Sequence, residues 1–183
     1  MAASASVSKQ TVYKQFTSKE ELFVAVAKLM TDEASERVEE GMRDPSDASD
    51  LRGELTRFAE RQLSIVLTPH LLQLRRLAIA EAHRFPELGR AVYEGGAGRA
   101  IARLSSAFDR WSRLGLLDAS DAAAAASQFN WLVMAEPINR AMFLGDEAAP
   151  RAQEIRVHVR KAVATFLRAF AATDNGAAER HPE

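Results

Sequence analysis

Apolar residues recur at helical spacing along most of the chain, and this pattern constrains the fold more than any other feature. Leu22, Val26 and Met30, for example, follow one another at intervals of four residues. Such spacing places side chains on one face of an α-helix. No stretch shows the alternation of apolar and polar residues that a half-buried strand requires. We therefore predict an all-α fold.

Capping residues and helix breakers divide this pattern into segments. Ser18 with Glu21 three residues later predicts the start of a long helix, and the turn-forming residues 44–47 follow its end. Further helices are predicted over about residues 50–68, 70–83, 86–115, 122–143 and 149–172. Asp118 or Ser120 is expected to cap the fifth of these six helices, and Pro137 to kink it. The segment around residues 41–47 is the best candidate for a domain boundary.

The composition excludes several classes of protein. Apolar residues make up 47% of the 183 residues and charged residues 27%, which is typical of a globular protein rather than a disordered one. The absence of cysteine excludes disulfides and thiolate metal sites. No apolar run approaches the roughly 20 residues that span a bilayer, and the N-terminus lacks the pattern of a signal peptide. We therefore expect a cytoplasmic protein without a membrane partner.

Residues 7–16 form a short polar-faced segment close to the N-terminus. Ser8 can cap a helix whose polar face carries Lys9 and Lys14, and whose apolar face carries Val12 and Phe16. Such a helix could pack on one side and enter a DNA major groove with the other. No acidic residue precedes Glu20, although the formal net charge of the chain is −1. A solvated helix start is the alternative explanation of this basic tip.

Residues 7–23, VSKQTVYKQFTSKEELF, resemble the core signature of the TetR family of bacterial transcription factors. The resemblance implies a recognition helix, a tight corner and a long helix that leads to a regulatory domain. It also implies homodimers that bind operator DNA and respond to a small-molecule effector, which we expect to be apolar or aromatic. Candidate DNA contacts are Lys9, Gln10, Thr11, Tyr13, Lys14, Gln15 and Lys19.

The N-terminus departs from the family pattern. The family's DNA-binding domain has three helices, and residues 1–5 match only the end of the second. Ser6 stands where the family usually has a glycine in the turn. Without the first helix, apolar residues of the recognition segment would be partly exposed to water, so we predict that this chain binds DNA weakly or not at all. The alternative function is a helical ligand-binding and dimerisation protein that has lost DNA binding because the first helix is missing.

Residues 76–88 and 111–117 resemble, more loosely, the AefR-like C-terminal domain of the same family. We therefore predict a partial helix-turn-helix domain with its linking helix over residues 1–41, an effector-binding and dimerisation domain over 50–172, and a disordered tail over 173–183. In the family the last two helices pair across a two-fold axis. The candidate interface residues are Phe129, Leu132, Ile155, Val159, Phe166 and Phe170, with the chain's own core as the alternative role of these stripes.

The effector pocket is predicted from aromatic and flexible side chains, with glycines 95, 96 and 98 thinning or bending the helix beside them. Candidate lining residues are Phe85, Tyr93, Phe108, Trp111, Trp131 and Met134, and core packing is the alternative for each aromatic residue. The four histidines are scattered, and no nucleotide loop or nucleophile motif is present. We expect neither an enzyme nor a metal or other cofactor.

Overall fold

The computed structural model describes residues 16, 18–40 and 42–172, and these contain α-helices but no β-strand longer than one isolated bridge. The predicted all-α fold is confirmed. Six of the seven candidate DNA contacts, all but Lys19, lie outside the described residues, as does the predicted tail. The helices are α1 (Lys19–Glu39), α2 (Ala48–Val66), α3 (Pro69–Ala80), α4 (Pro86–Tyr93), α5 (Arg99–Arg113), α6 (Ala122–Leu144) and α7 (Ala152–Phe170).

Helix ends follow the local chemistry of the sequence. The Ser18 side chain accepts a hydrogen bond from the backbone N–H of Glu21 at 3.1 Å, as the capping pattern predicts. Pro69 and Pro86 stand in the first turns of α3 and α4, where the missing N–H of proline is harmless. Gly115, with φ of +71°, follows the end of α5 in the left-handed conformation that glycine adopts most readily.

The N-cap of α6 is Asp121, and the prediction of Asp118 or Ser120 was wrong. The Asp121 carboxylate accepts a hydrogen bond from the N–H of Ala124 at 2.9 Å. The Asp118 backbone N–H instead donates to the carbonyl of Phe170 at 2.8 Å, and Leu117 forms an isolated antiparallel bridge with Ala171. The loop before α6 is therefore held against the end of α7.

A π-helical turn over Glu94–Gly98 interrupts the helix that the sequence predicts across residues 86–115. The turn contains Gly95, Gly96 and Gly98, and it joins α4 to α5. Single π-turns within α-helices are frequent at functional sites. The glycines predicted to bend or thin the helix thus lie in a local change of helical geometry.

Two apolar clusters hold the helices together. The larger lies among α2, α5, α6 and α7, and the rings of Phe108, Phe129 and Phe166 meet near its centre, with Phe129 and Phe166 at a centroid distance of 4.9 Å. The smaller joins α1 to α3 and α4 through Ala27 and Leu74, with Phe23 packed against it. Helix α1 also reaches the larger cluster through Val38, so it is anchored at both ends.

Most of the predicted interface residues belong to the larger cluster. Phe129, Ile155, Val159 and Phe166 are buried within the chain itself, because both stripes turn toward α2 and α5. Phe170 is half-buried and stacks on Phe166, and Leu132 is exposed. The four buried residues are therefore not available to a second copy in this conformation. No helix in the described part of the chain is both long and apolar enough to cross a membrane.

Candidate functional site

A cavity lies between α1, α2, α3, α6 and the π-turn with the start of α5. The cavity volume is about 80 Å³, which is enough for several water molecules. Most of the lining is apolar, and it draws on both clusters. The lining residues are Thr31, Ala34, Ser35, Val38, Glu39, Phe58, Gln62, Ile65, Val66, Leu71, Leu74, Arg75, Val92, Gly96, Ala97, Arg99, Ala100, Arg103, Asn130, Trp131, Met134 and Ile138.

Two buried amides face each other in this lining. The Gln62 Nε2 atom on α2 donates to the Oδ1 atom of Asn130 on α6 at 3.1 Å. Gln62 is 4% exposed and Asn130 only 1%. The remaining polar atoms of the pair, Gln62 Oε1 and Asn130 Nδ2, are buried without a hydrogen-bond partner among the described residues. Buried polar atoms normally have partners, so the pair could receive a bound molecule or water.

Three arginines and one carboxylate supply the charge of the lining. Arg99 donates to Glu39 at 3.3 Å and to Asp32 at 3.0 Å, and Arg103 also pairs with Glu39. These ion pairs join α5 to α1. Arg75 on α3 is half-buried and makes no hydrogen bond or ion pair with residues 16, 18–40 or 42–172. Burial away from water lowers the pKa of its guanidinium from the ordinary value.

Helix α1 and the π-turn touch beside the cavity. The Ser35 hydroxyl donates to the Gly95 carbonyl at 2.8 Å. A Cβ atom added at Gly95 would lie 2.9 Å from Thr31 Cβ and still closer to Thr31 Oγ1, so glycine permits this approach. Thr31 and Ser35 also line the cavity. A molecule in the cavity would therefore touch α1 directly.

The structure brings two of the six predicted pocket residues, Trp131 and Met134, to this cavity. Phe108 and Trp111 are fully buried in the larger cluster, where they fill space between helices. Phe85 packs against the smaller cluster, and Tyr93 is 56% exposed. For Phe108 and Trp111 the position fits the alternative role of core packing, which large rings often fill in a helical bundle.

The polar lining residues were absent from the sequence-based pocket, although the sequence carries a signal for them. Gln62 follows Leu55 and Phe58 on the apolar face of α2, where a polar side chain needs a buried partner. Asn130 lies among the apolar residues of α6, and Arg75 follows Leu74 on α3. A polar residue within an apolar stripe is the pattern that could have indicated a site here.

Lys19 is the one candidate DNA contact that lies within the described residues. It is the first residue of α1 and is exposed. Its ammonium lies over the ring of Phe23, 5.3 Å from the centroid. The unpaired N–H groups of a helix start favour an anion nearby, so the position suits a phosphate contact.

Comparisons with known proteins find the same family for both parts of the chain. Residues 53–172 match the family model of the AefR-like transcriptional repressor C-terminal domain. Residues 1–26 match the model of the bacterial regulatory proteins of the tetR family. No curated protein matches the chain.

Three solved structures are similar over most of their length. A protein from Mesorhizobium loti MAFF303099, described as a TetR-family transcriptional regulator, is 33% identical with a TM-score of 0.76, covering 93% of this chain and 84% of that one. The flavonoid-responsive regulator FrrA is 27% identical, with a TM-score of 0.74 and the same coverages. A TetR transcriptional regulator from Agrobacterium tumefaciens is 27% identical, with a TM-score of 0.72, covering 93% and 81%.

Proposed function

Because the chain belongs to the TetR family of bacterial regulatory proteins, we propose that it is a homodimeric repressor whose operator binding is relieved by a small molecule in the cavity. The observation that carries the proposal is that the cavity is lined both by α1 and by the helices of the larger cluster. The proposed DNA-binding segment, residues 7–16, immediately precedes α1 in the sequence.

The effect of a bound molecule would reach the proposed DNA-binding segment through the contacts of α1. An effector that fits one orientation of α1 better than another shifts the balance between the two. The Ser35–Gly95 hydrogen bond and the Arg99 ion pairs tie α1 to the π-turn and α5, so these contacts would move together. A coupling of about 1–3 kcal/mol changes DNA affinity by roughly 5- to 150-fold.

The name of one relative supports a ring-containing effector. FrrA is described as flavonoid-responsive. Phe58, Trp131 and Met134 give the present cavity surfaces on which a planar ring could pack. We propose that this chain also responds to a small ring compound, held by apolar contacts and a few polar groups.

Selection from random DNA with the purified full chain tests the proposal. The proposal predicts enrichment of a pseudo-palindromic site, because a two-fold dimer presents two equivalent reading heads, whereas the N-terminal departure from the family pattern predicts weak enrichment or none. Lys14→Ala should weaken binding to that site and reduce its salt dependence by about one charge, whereas Lys28→Ala, on the exposed surface of α1, should not. Addition of an effector should release the DNA. Failure to enrich any site would favour the helical ligand-binding protein without DNA binding.

A further inference from the structure

The cavity presents hydrogen-bonding atoms that no described residue satisfies. Gln62 Oε1 is a hydrogen-bond acceptor and Asn130 Nδ2 is a donor, and both atoms belong to side chains that are more than nine-tenths buried. A hydroxyl group both donates and accepts, so one hydroxyl placed between the two amides could satisfy both atoms. A purely apolar ligand would leave them unpaired.

The same cavity carries positive charge that lacks a partner. Arg75 lines it and has no carboxylate beside it among the described residues, whereas the other two lining arginines are paired with Glu39. Arg76, the next residue, forms an ion pair with Asp146 at 2.6 Å and is not among the residues that line the cavity. An arginine held partly out of water without an anion is unfavourable, and a carboxylate matches its planar geometry.

Taking the effector role of the cavity from the proposed function, we infer that the effector is a hydroxylated aromatic carboxylate. Its carboxylate pairs with Arg75, its hydroxyl lies between Gln62 and Asn130, and its ring packs on the apolar lining around Phe58 and Met134. Charge selects acids over neutral analogues of the same shape, and the amide pair selects a hydroxylated ring over a bare one.

Calorimetric binding to the purified full chain, without DNA, tests this inference. The probes are 4-hydroxybenzoate, 4-hydroxyphenylacetate and 4-hydroxycinnamate, which differ in the distance between hydroxyl and carboxylate. Each is compared with its primary amide and with the acid that lacks the hydroxyl. For the best of the three acids we expect at least tenfold tighter binding than for its amide, and at least fivefold tighter binding than for the bare acid.

Variants identify the groups responsible. Arg75→Met should reduce the preference for acid over amide to less than twofold, whereas Arg84→Met, which removes an exposed arginine outside the cavity, should preserve it. The double variant Gln62→Met/Asn130→Leu should remove the preference for the hydroxyl and keep that for the acid. Circular dichroism and thermal unfolding without ligand show whether each variant is folded.

The possible failures are distinguishable. Equal binding of acids and amides, or a preference that survives in Arg75→Met, would overturn the inference and leave a ligand-responsive regulator intact. If none of the nine probes bound at 5 mM, the carboxylate assignment would be overturned, and a wider screen of neutral ring compounds would then decide whether the cavity binds effectors at all. Loss of the acid preference in Arg84→Met as well would show a general charge effect instead of a site.

Discussion

At the scale of single residues, the interior of this chain contains polar groups whose partners decide what they contribute. The amide pair Gln62–Asn130 satisfies only half of its hydrogen-bonding atoms. The indole of Trp111, in contrast, is fully buried but donates from Nε1 to Asp44 at 3.1 Å. Removing one partner from such a pair leaves the other without a hydrogen bond in a place that water reaches poorly.

Replacing one amide should therefore destabilise the protein more than replacing both. Asn130→Leu leaves the whole Gln62 amide unpaired, and we expect the free energy of unfolding to fall by about 1–3 kcal/mol. The double variant Gln62→Met/Asn130→Leu replaces both with apolar side chains of similar shape, and its loss should be smaller. Urea unfolding of the ligand-free protein measures both. Additive losses would mean that the two amides do not depend on each other.

Asp44 supplies a second test, since it anchors the segment between α1 and α2 to α5. Asp44→Ala removes the acceptor of the buried Trp111 N–H, and we expect a loss of about 1–3 kcal/mol in the free energy of unfolding. Asp44→Asn retains an acceptor oxygen at this position and should lose less. The order of the two variants in urea unfolding at pH 7 is the result that matters. Equal losses would assign the effect to the charge alone.

The pH dependence of this contact follows from the pKa of Asp44. Hydrogen bonds from Arg110 and then from Trp111 hold that pKa below its ordinary value, since both favour the carboxylate. A carboxyl group whose pKa is lower in the folded state stabilises the protein fully when the pH is above its ordinary pKa of about 3.9. This stabilisation is lost as the pH falls through the lowered pKa of the folded state. The difference in unfolding free energy between wild type and Asp44→Asn should thus be constant from pH 7 to 5 and shrink only below about pH 4.

At the scale of helices, the sequence predicts where elements begin and end better than which faces meet. Local chemistry fixes Ser18 as a cap and Pro86 as a first-turn residue, so both were predictable. The glycines indicate a local change of the helix at the π-turn, but the sequence does not show that Gly95 meets Thr31, which comes from a distant part of the chain. The cavity was still harder to predict from the sequence, because Arg75 and Asn130 come together only after helices far apart in sequence have packed.

The contact between α1 and the π-turn can be tested with two neighbouring glycines. Gly95→Ala would place a Cβ atom against Thr31, so α1 must shift or the turn must open, and we expect a loss of about 1–3 kcal/mol. Gly96→Ala meets no atom within 4 Å and adds the better helix former, so stability should be unchanged or rise by up to about 1 kcal/mol. Thermal and urea unfolding compare the pair. Equal stability of both variants would argue against a tight contact at Gly95.

At the scale of the whole molecule, we propose that a second copy covers the outer side of α6. Leu132 and Phe143, at positions that share a helix face, are 39% and 82% exposed. On α7, Val157 and Ala164 are half-buried and lie beside the basic residues Arg160, Lys161 and Arg168. Of the interface residues expected from the sequence, this proposed surface retains only Leu132 on α6, because the amphipathic pattern of that helix indicates its buried stripe and gives no direct sign of an exposed one.

If the chain forms a two-fold dimer through this surface, a charge at Leu132 should separate the copies. A residue near the axis of such an interface appears twice, so Leu132→Arg would bring two arginines toward each other in a contact that otherwise buries apolar area. Light scattering should give twice the 20.1 kDa of one chain for the wild type and a mass near that of one chain for the variant. Ile79→Arg, which changes an equally apolar residue on α3 that is 63% exposed, serves as the control and should remain dimeric. If the Ile79 variant were monomeric and the Leu132 variant dimeric, the interface would lie on α3 instead. A monomeric wild type would contradict the part of the proposed function in which a dimer binds a two-fold operator.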